Sequence, residues 1–231
     1  MSNTTGTFNW YPPLSDLIIA AYARCQIRRS ALSPDHLHDA ATACNLMQLE
    51  WANEQVNLWT VELATTTLIP GRDTYEVDPT TIMIMAAYIS EGDPPKDRII
   101  TSLDRDTYAS FPDKTTPGTP SVYWFQKLMQ PTITLWQPPN DIVPRTLHYY
   151  RARHLQDATM ADGFEAEVPR HFLEAYVAGL AFKLAEIYVP ARMDQLAMRA
   201  AGAFQRAKER DVENSPLRIV PALATYTSVV Y

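Results

Sequence analysis

Between Thr66 and Trp136 the chain alternates short β-prone runs with turns set by proline and glycine, and helical patterns flank this block on both sides. Thr65, Thr66 and Thr67 with Leu68 and Ile69 suit a pleated strand, because β-branched side chains pack well on that surface. Pro70-Gly71 and Thr116-Pro117-Gly118-Thr119-Pro120 then break the runs as turns. The pattern predicts strands near 62–69, 74–77, 82–89, 97–101, 121–126, 132–136 and 145–151. Gln130-Pro131 separates two of them as a hairpin, and Leu103 to Ser110 reads as a short helix capped by Ser102. Across the chain 18 prolines outnumber 7 glycines, so many connections have their φ angles fixed.

The flanks read as helix. A first helix starts at the cap Ser15, with Asp16 at the positive helix end and Leu14, Leu17, Ile18, Ala21, Tyr22 and Cys25 at three- and four-residue steps. Arg28, Arg29 and Ser30 close it. A second starts at Ser33-Pro34-Asp35 and carries Leu37, Ala40, Ala41, Cys44, Met47, Trp51 and Leu58 to about Trp59. After the β block, Val168-Pro169 opens a third helix with Phe172, Leu173, Tyr176, Val177, Leu180, Ala181, Leu184 and Tyr188 on one broad face. Pro190 ends it and opens a fourth, whose stripe is Met193, Leu196, Ala197, Ala200, Ala203, Phe204 and Ala207.

Two terminal segments fit neither pattern. Residues 1–13 form a polar arm that ends in Phe8, Trp10 and Tyr11 beside Pro12-Pro13, poised to pack on the chain's own helices or on a neighbour. Residues 215–231 are apolar, β-prone and broken by Pro216 and Pro221. Leu217, Ile219, Val220, Leu223, Tyr226, Val229, Val230 and Tyr231 need cover from water, supplied by the chain's own sheet or by a partner protein.

Chemistry-bearing constellations are sparse. His36 and His38 are two apart and point to different sides of a helix, and His148, His154 and His171 lack neighbours at ligand spacing, so no metal site is expected. Asp162, Glu165 and Glu167 sit just before the third helix, where acids suit its positive end. The sequence lacks G-x-S-x-G, phosphate loops and G-x-G-x-x-G, so neither a catalytic nucleophile nor a cofactor is expected. Cys25 and Cys44 lie among apolar helical positions and read as reduced core thiols. Net charge is -6, the basic residues at 28–29 and 208–210 suit helix ends, and no basic stripe for nucleic acid stands out. No apolar run reaches membrane-spanning length and no leader pattern opens the chain, so a soluble protein made in the cytoplasm is expected.

The order helix–helix, β block, helix–helix, extended tail resembles the head–tail adaptor, or connector, proteins of tailed bacteriophages, in particular the tail tubular A type of short-tailed phages. The resemblance is carried by residues 67–75, by Asp104-Arg105-Asp106-Thr107-Tyr108, by 116–120, by 133–139 and by 168–181, and spans roughly 15 to 212. It implies a structural virion protein in the neck between head and tail. Such a protein forms a ring, commonly a dodecamer, under the portal protein, offers a surface to a tail or nozzle protein, and lets genomic DNA pass without specific binding. An acidic chain suits such a conduit.

The expected fold class is α+β. A bundle of four main helices (14–60 and 168–214) carries an inserted antiparallel β domain (61–167), with an N-terminal arm at 1–13 and an extended C-terminal tail at 215–231. The tail is expected to dock on the portal, with Phe8, Trp10 and Tyr11 as the arm's contacts. Two other readings stay open: a virion-associated cell-wall hydrolase using Glu165 and Glu167 as acid and base, and a small-ligand-binding module using the Tyr123-Trp124-Phe125 strand.

Overall fold

The structure, a computed structural model, describes residues 6–7, 9–54, 57–159 and 163–212. Among the described residues it is a mixed α+β fold with five α-helices and a seven-stranded sheet. Helix α1 covers Leu14–Arg24 and α2 covers Pro34–Glu54. The strands are β1 Val61–Thr67, β2 Thr74–Glu76, β3 Thr81–Glu91, β4 Lys96–Leu103, β5 Val122–Gln126, β6 Thr132–Trp136 and β7 Arg145–Arg153. A short α3, Arg105–Ser110, lies between β4 and β5, and the chain returns to helix in α4, Leu173–Tyr188, and α5, Met193–Lys208.

The apolar patterns decide where the helices pack. In α4, nine residues are buried, including Tyr176, Leu180, Ala181 and Leu184, so apolar side chains occupy most of its circumference. It is accordingly the central helix, with α1, α2 and α5 packed around it. The apolar residues predicted for α1 are buried together with Cys25. In α2 the buried set is Ala40, Ala43, Cys44, Met47, Gln48 and Trp51, whereas Leu37 is 37% exposed.

Helix ends differ from expectation in four places. The first helix begins at Leu14 behind Pro13, not at a Ser15 cap. It stops four residues before Arg28, because Gln26 adopts φ 64° and the Ile27 N–H reaches back to the Tyr22 carbonyl at 3.0 Å while the Gln26 N–H reaches Ala23 at 3.0 Å. The second helix ends at Glu54, and Leu58–Thr60 forms a separate 3-10 turn. The short helix is capped by Asp104, not by Ser102, since the Asp104 carboxylate accepts the Thr107 N–H at 2.7 Å.

The sheet runs β1-β7-β3-β4-β5-β6-β2. All pairings are antiparallel except β4–β5, which is parallel, with Thr101 opposite Val122 and Leu103 opposite Trp124. The inserted block is therefore not purely antiparallel. A parallel pair needs a crossover of a dozen or more residues, and α3 with its flanking loops supplies it. Ala87, Ile89 and Leu147 share one core with Tyr75, Tyr123, Ile133 and Leu135, so the sheet curls until its two halves face each other. A second core belongs to the helices.

Two turn motifs have a clear physical cause. Gly71 takes φ 77°, which a side chain disfavours, and the Tyr75 hydroxyl ties that turn by accepting from Ile69 N–H at 2.9 Å and donating toward the Ile69 and Arg72 carbonyls. A Cβ at Gly118 would lie 1.8 Å from Gln137 Oε1, so a side chain there would have to displace the Gln137 amide where the 116–120 loop bridges to Pro139.

Candidate functional site

The seam between the sheet and the helices carries the densest polar chemistry. Arg151 on β7, only 9% exposed, donates to Glu62 on β1 and lies 3.2 Å from Asp78. Arg153 contacts Glu62 at 3.3 Å and meets Glu167 with both terminal nitrogens. Glu167 also accepts the Gln156 N–H at 2.8 Å, and its backbone carbonyl accepts Trp59 Nε1 at 2.9 Å. Asn45 of α2 and Ala158 bond reciprocally, Asn45 donating at 3.3 Å and accepting at 2.7 Å. Arg151 and Arg153, two apart and so on one face of β7, thus tie that strand to β1, to the Asp78 turn and to the segment leading into α4.

This geometry decides what the carboxylates do. The Arg153 guanidinium holds the Glu167 carboxyl below its ordinary range, against burial, which pushes it up. A general acid needs the opposite shift. Glu165 is exposed, and Asp162 lies outside the described residues. Asp78 is held at about 2 by the hydroxyl and N–H of Thr80, with Arg151 adding to the effect.

The aromatic strand is covered. Tyr123 is 2% exposed within the sheet core, Phe125 packs against that core, and Trp124 sits under Tyr108 of α3 at 5.2 Å with Arg105 above it. Phe111 stacks on Trp136 at 4.2 Å, and Trp136 Nε1 donates to the Asp113 carbonyl at 2.8 Å. Helix α3 is therefore a plug over β5 and β6, and the three aromatics do not share an open platform.

The histidines are held by packing. His36 stacks on Tyr188 at 4.6 Å with its Nδ1 2.7 Å from Ser33 Oγ, and Tyr188 donates to Asp39 at 2.5 Å. His148 stacks on Tyr88 at 4.8 Å, and His171 leans on Phe172. Among the described residues no three His, Cys, Asp or Glu side chains gather as a metal set. Cys25 and Cys44 are both free and buried; Cys25 donates to the Ala181 carbonyl, and burial pushes the Cys44 thiol up to about 11. Among the described residues no helix is long and apolar enough to cross a membrane.

Of the arm, Tyr11 is seated on the chain itself, its hydroxyl shared between the Ala166 and Val168 carbonyls. Trp10 is 73% exposed, at the rim of a recess with Pro12, Leu17 and Arg170, and Phe8 lies outside the described residues. The tail positions Leu217, Ile219, Val220, Leu223, Tyr226, Val229, Val230 and Tyr231 also lie outside them. Sequence reasoning read Arg210 as a helix-end residue and passed over Arg199 and Arg206 of α5, which lead to it along one stripe. Their seven- and four-residue spacing was the available signal.

The described residues thus comprise two packed cores joined by a locked seam. Comparison with curated proteins finds no significant match. Comparison with protein families finds one, described as SU10 adaptor protein, matching residues 9–220. That stretch takes in both helical flanks and the entire β block, and the chain belongs to the SU10 adaptor protein family.

Proposed function

We propose that this protein is a structural adaptor of a tailed-phage virion, seated in the neck between head and tail. The family match across 9–220 carries the reading. In this reading the chain forms a ring, a dodecamer by resemblance, that docks under the portal protein, continues the DNA channel and receives a tail or nozzle protein. The helices of 14–60 and 168–214 act as one bundle and the 61–167 block as the inserted unit. Separate helical and sheet cores joined by the Arg151–Arg153 seam support that division. Residues 215–231 supply the portal contact, with the Phe8, Trp10 and Tyr11 arm as the second contact.

The hydrolase reading loses its acid, because Glu167 is engaged by Arg153 and Gln156. The test is assembly. Purified protein mixed with the portal of the same virion is expected to give one complex whose mass, by light scattering, equals portal plus a full ring. Two separate species at all mixing ratios would remove the adaptor reading.

A further inference from the structure

Among the described residues, Arg199, Arg206 and Arg210 of the α5 region make no ion pair, in a chain whose net charge is -6. They line a groove between the start of α4 and α5, with Arg24 from the end of α1 on its rim. One part, about 470 Å³, is bounded by Arg24, Glu174, Met198, Arg199, Gly202 and Arg206. It continues past His171 to Arg210. The two acids along it are already occupied: Glu174 pairs with Arg24 at 2.7 Å, and Glu209 accepts from Gln205 at 3.3 Å. Met198, 72% exposed, adds an apolar knob at the groove's rim.

Helix α2 has the complementary character. It carries Asp35, Asp39, Glu50 and Glu54 and neither Lys nor Arg. Leu46 and Leu49, 54% and 49% exposed, lie on its outer face. Asp39 accepts the Tyr188 hydroxyl and Glu50 pairs with Lys183 at 2.6 Å, so among the described residues Asp35 and Glu54 are the acids of this helix left open to a partner. Charge and exposed apolar surface therefore match in kind.

We propose that the groove between the start of α4 and α5 is a docking surface for the outer face of α2 of a second copy of this chain. The inference rests on the ring reading and specifies its subunit contact. The two surfaces lie on different sides of α4. Met47 of α2 and Gly179 of α4 border one recess, and the basic groove opens at Glu174. Those two α4 positions are five residues apart, about 140° around the helix. A contact between unlike surfaces is head-to-tail, the kind that closes into rings. Duplex DNA would satisfy the arginines but would leave Met198, Leu46 and Leu49 in water, so a second copy fits better.

The experiment uses disulfide trapping between full-length chains. Cys25 and Cys44 are buried, so they stay silent under mild oxidation. Leu49→Cys protein mixed with Met198→Cys protein is expected to give at least about tenfold more cross-linked dimer than either variant alone, because docking raises the local thiol concentration. Adding Arg199→Glu and Arg206→Glu to the Met198→Cys copy is expected to cut that yield about tenfold, since like charges across an interface repel. Asp35→Arg and Glu54→Arg on the Leu49→Cys copy are expected to restore it. All four substitutions fall on exposed side chains without an ion pair, and a matching thermal melt confirms that each variant is folded. Equal yields in the mixture and the single variants, with a ring still seen on the portal, would overturn this contact and leave the adaptor reading standing. Failure of the wild-type chain to self-associate, with or without portal, would overturn both. Charge reversal that lowers duplex DNA binding but not cross-linking would assign the groove to phosphates and overturn the proposal.

Discussion

Arg153 on β7 grips Glu167, thirteen positions past the start of the linking segment at His154, and so couples the last strand to the entry of α4. The pair is partly buried, 19% and 25% exposed, which places it between a surface ion pair and a sealed one. Its carboxyl titrates below its ordinary range in the folded chain. The stability it contributes is therefore present above the ordinary carboxylate range and is lost as pH falls through the folded value.

Glu167→Gln is expected to cost about 1–2 kcal/mol near neutral pH, less than the loss of one partner from a fully buried pair. The gap between wild type and variant is expected to close as pH falls below the ordinary carboxylate range, where the wild-type carboxyl takes up its proton. Denaturant melts of both proteins across this range check it. A gap that stays constant with pH would mean that Glu167 contributes by packing alone.

Gln26 is the residue that ends α1, at φ 64°. A non-glycine side chain in the left-handed region costs about 1–2 kcal/mol, partly returned by the lower unfolded-state entropy of glutamine. Gln26→Gly is thus expected to raise stability by about 0.5–1 kcal/mol, read as a shift in the denaturant midpoint with unchanged slope. An unchanged or lowered midpoint would show that the Gln26 side chain makes contacts worth more than the backbone strain.

The same residue shows where sequence reading reached its limit. Strand positions were legible because β-branched and aromatic runs met strong turn signals, and all seven predicted strands overlap observed ones. The α1 terminus was not, because its left-handed stop falls on a glutamine in place of the usual glycine. The parallel β4–β5 pair was equally hidden: Thr101 and Val122 choose each other through the path of α3, and no local pattern encodes that. At the candidate interface, the arginines near the end of α5 read as partners for the helix dipole. Only the packed structure puts Arg199 and Arg206 together with Arg24 along one groove. Glu167 likewise read as a helix-end acid until β7 brought Arg153 to it.

Phe204 lies on the predicted stripe of α5, but it is half-buried, packed against Trp51 at 5.1 Å and Phe172 at 6.2 Å. Full burial would make Phe204→Ala cost about 3–5 kcal/mol. Partial burial lowers the expected loss to about 2 kcal/mol. Leu196→Ala, at 1% exposure, is expected to cost about as much or more despite the smaller side chain. Thermal melts of the two variants rank them, and a Phe204→Ala protein that melts like wild type would mean that α5 is held by Leu196, Ala203 and Ala207 alone.

The last expectation concerns residues 215–231. Ala207 is the last buried apolar residue of the helical core, and Asp211, which accepts the Leu58 N–H at 3.2 Å, still lies before the cut. Every strand, both cores and the seam remain in a chain ending at Asn214. Truncation there is expected to leave the melting transition within about 0.5 kcal/mol of wild type, as for changes away from packed groups. The removed segment carries Leu217, Ile219, Val220, Leu223, Tyr226, Val229, Val230 and Tyr231, and Pro216 and Pro221 favour an extended path. Extended chain covers up to about 3.3–3.6 Å per residue, enough for the tail to reach a neighbouring protein. In the adaptor reading the truncated protein therefore folds, still traps the Leu49–Met198 contact between copies, and no longer pulls down portal. Unfolding of the truncated chain would place the tail in its own core. Portal binding at undiminished affinity would move the docking surface elsewhere, with exposed Trp10 and the arm as the next positions to mutate.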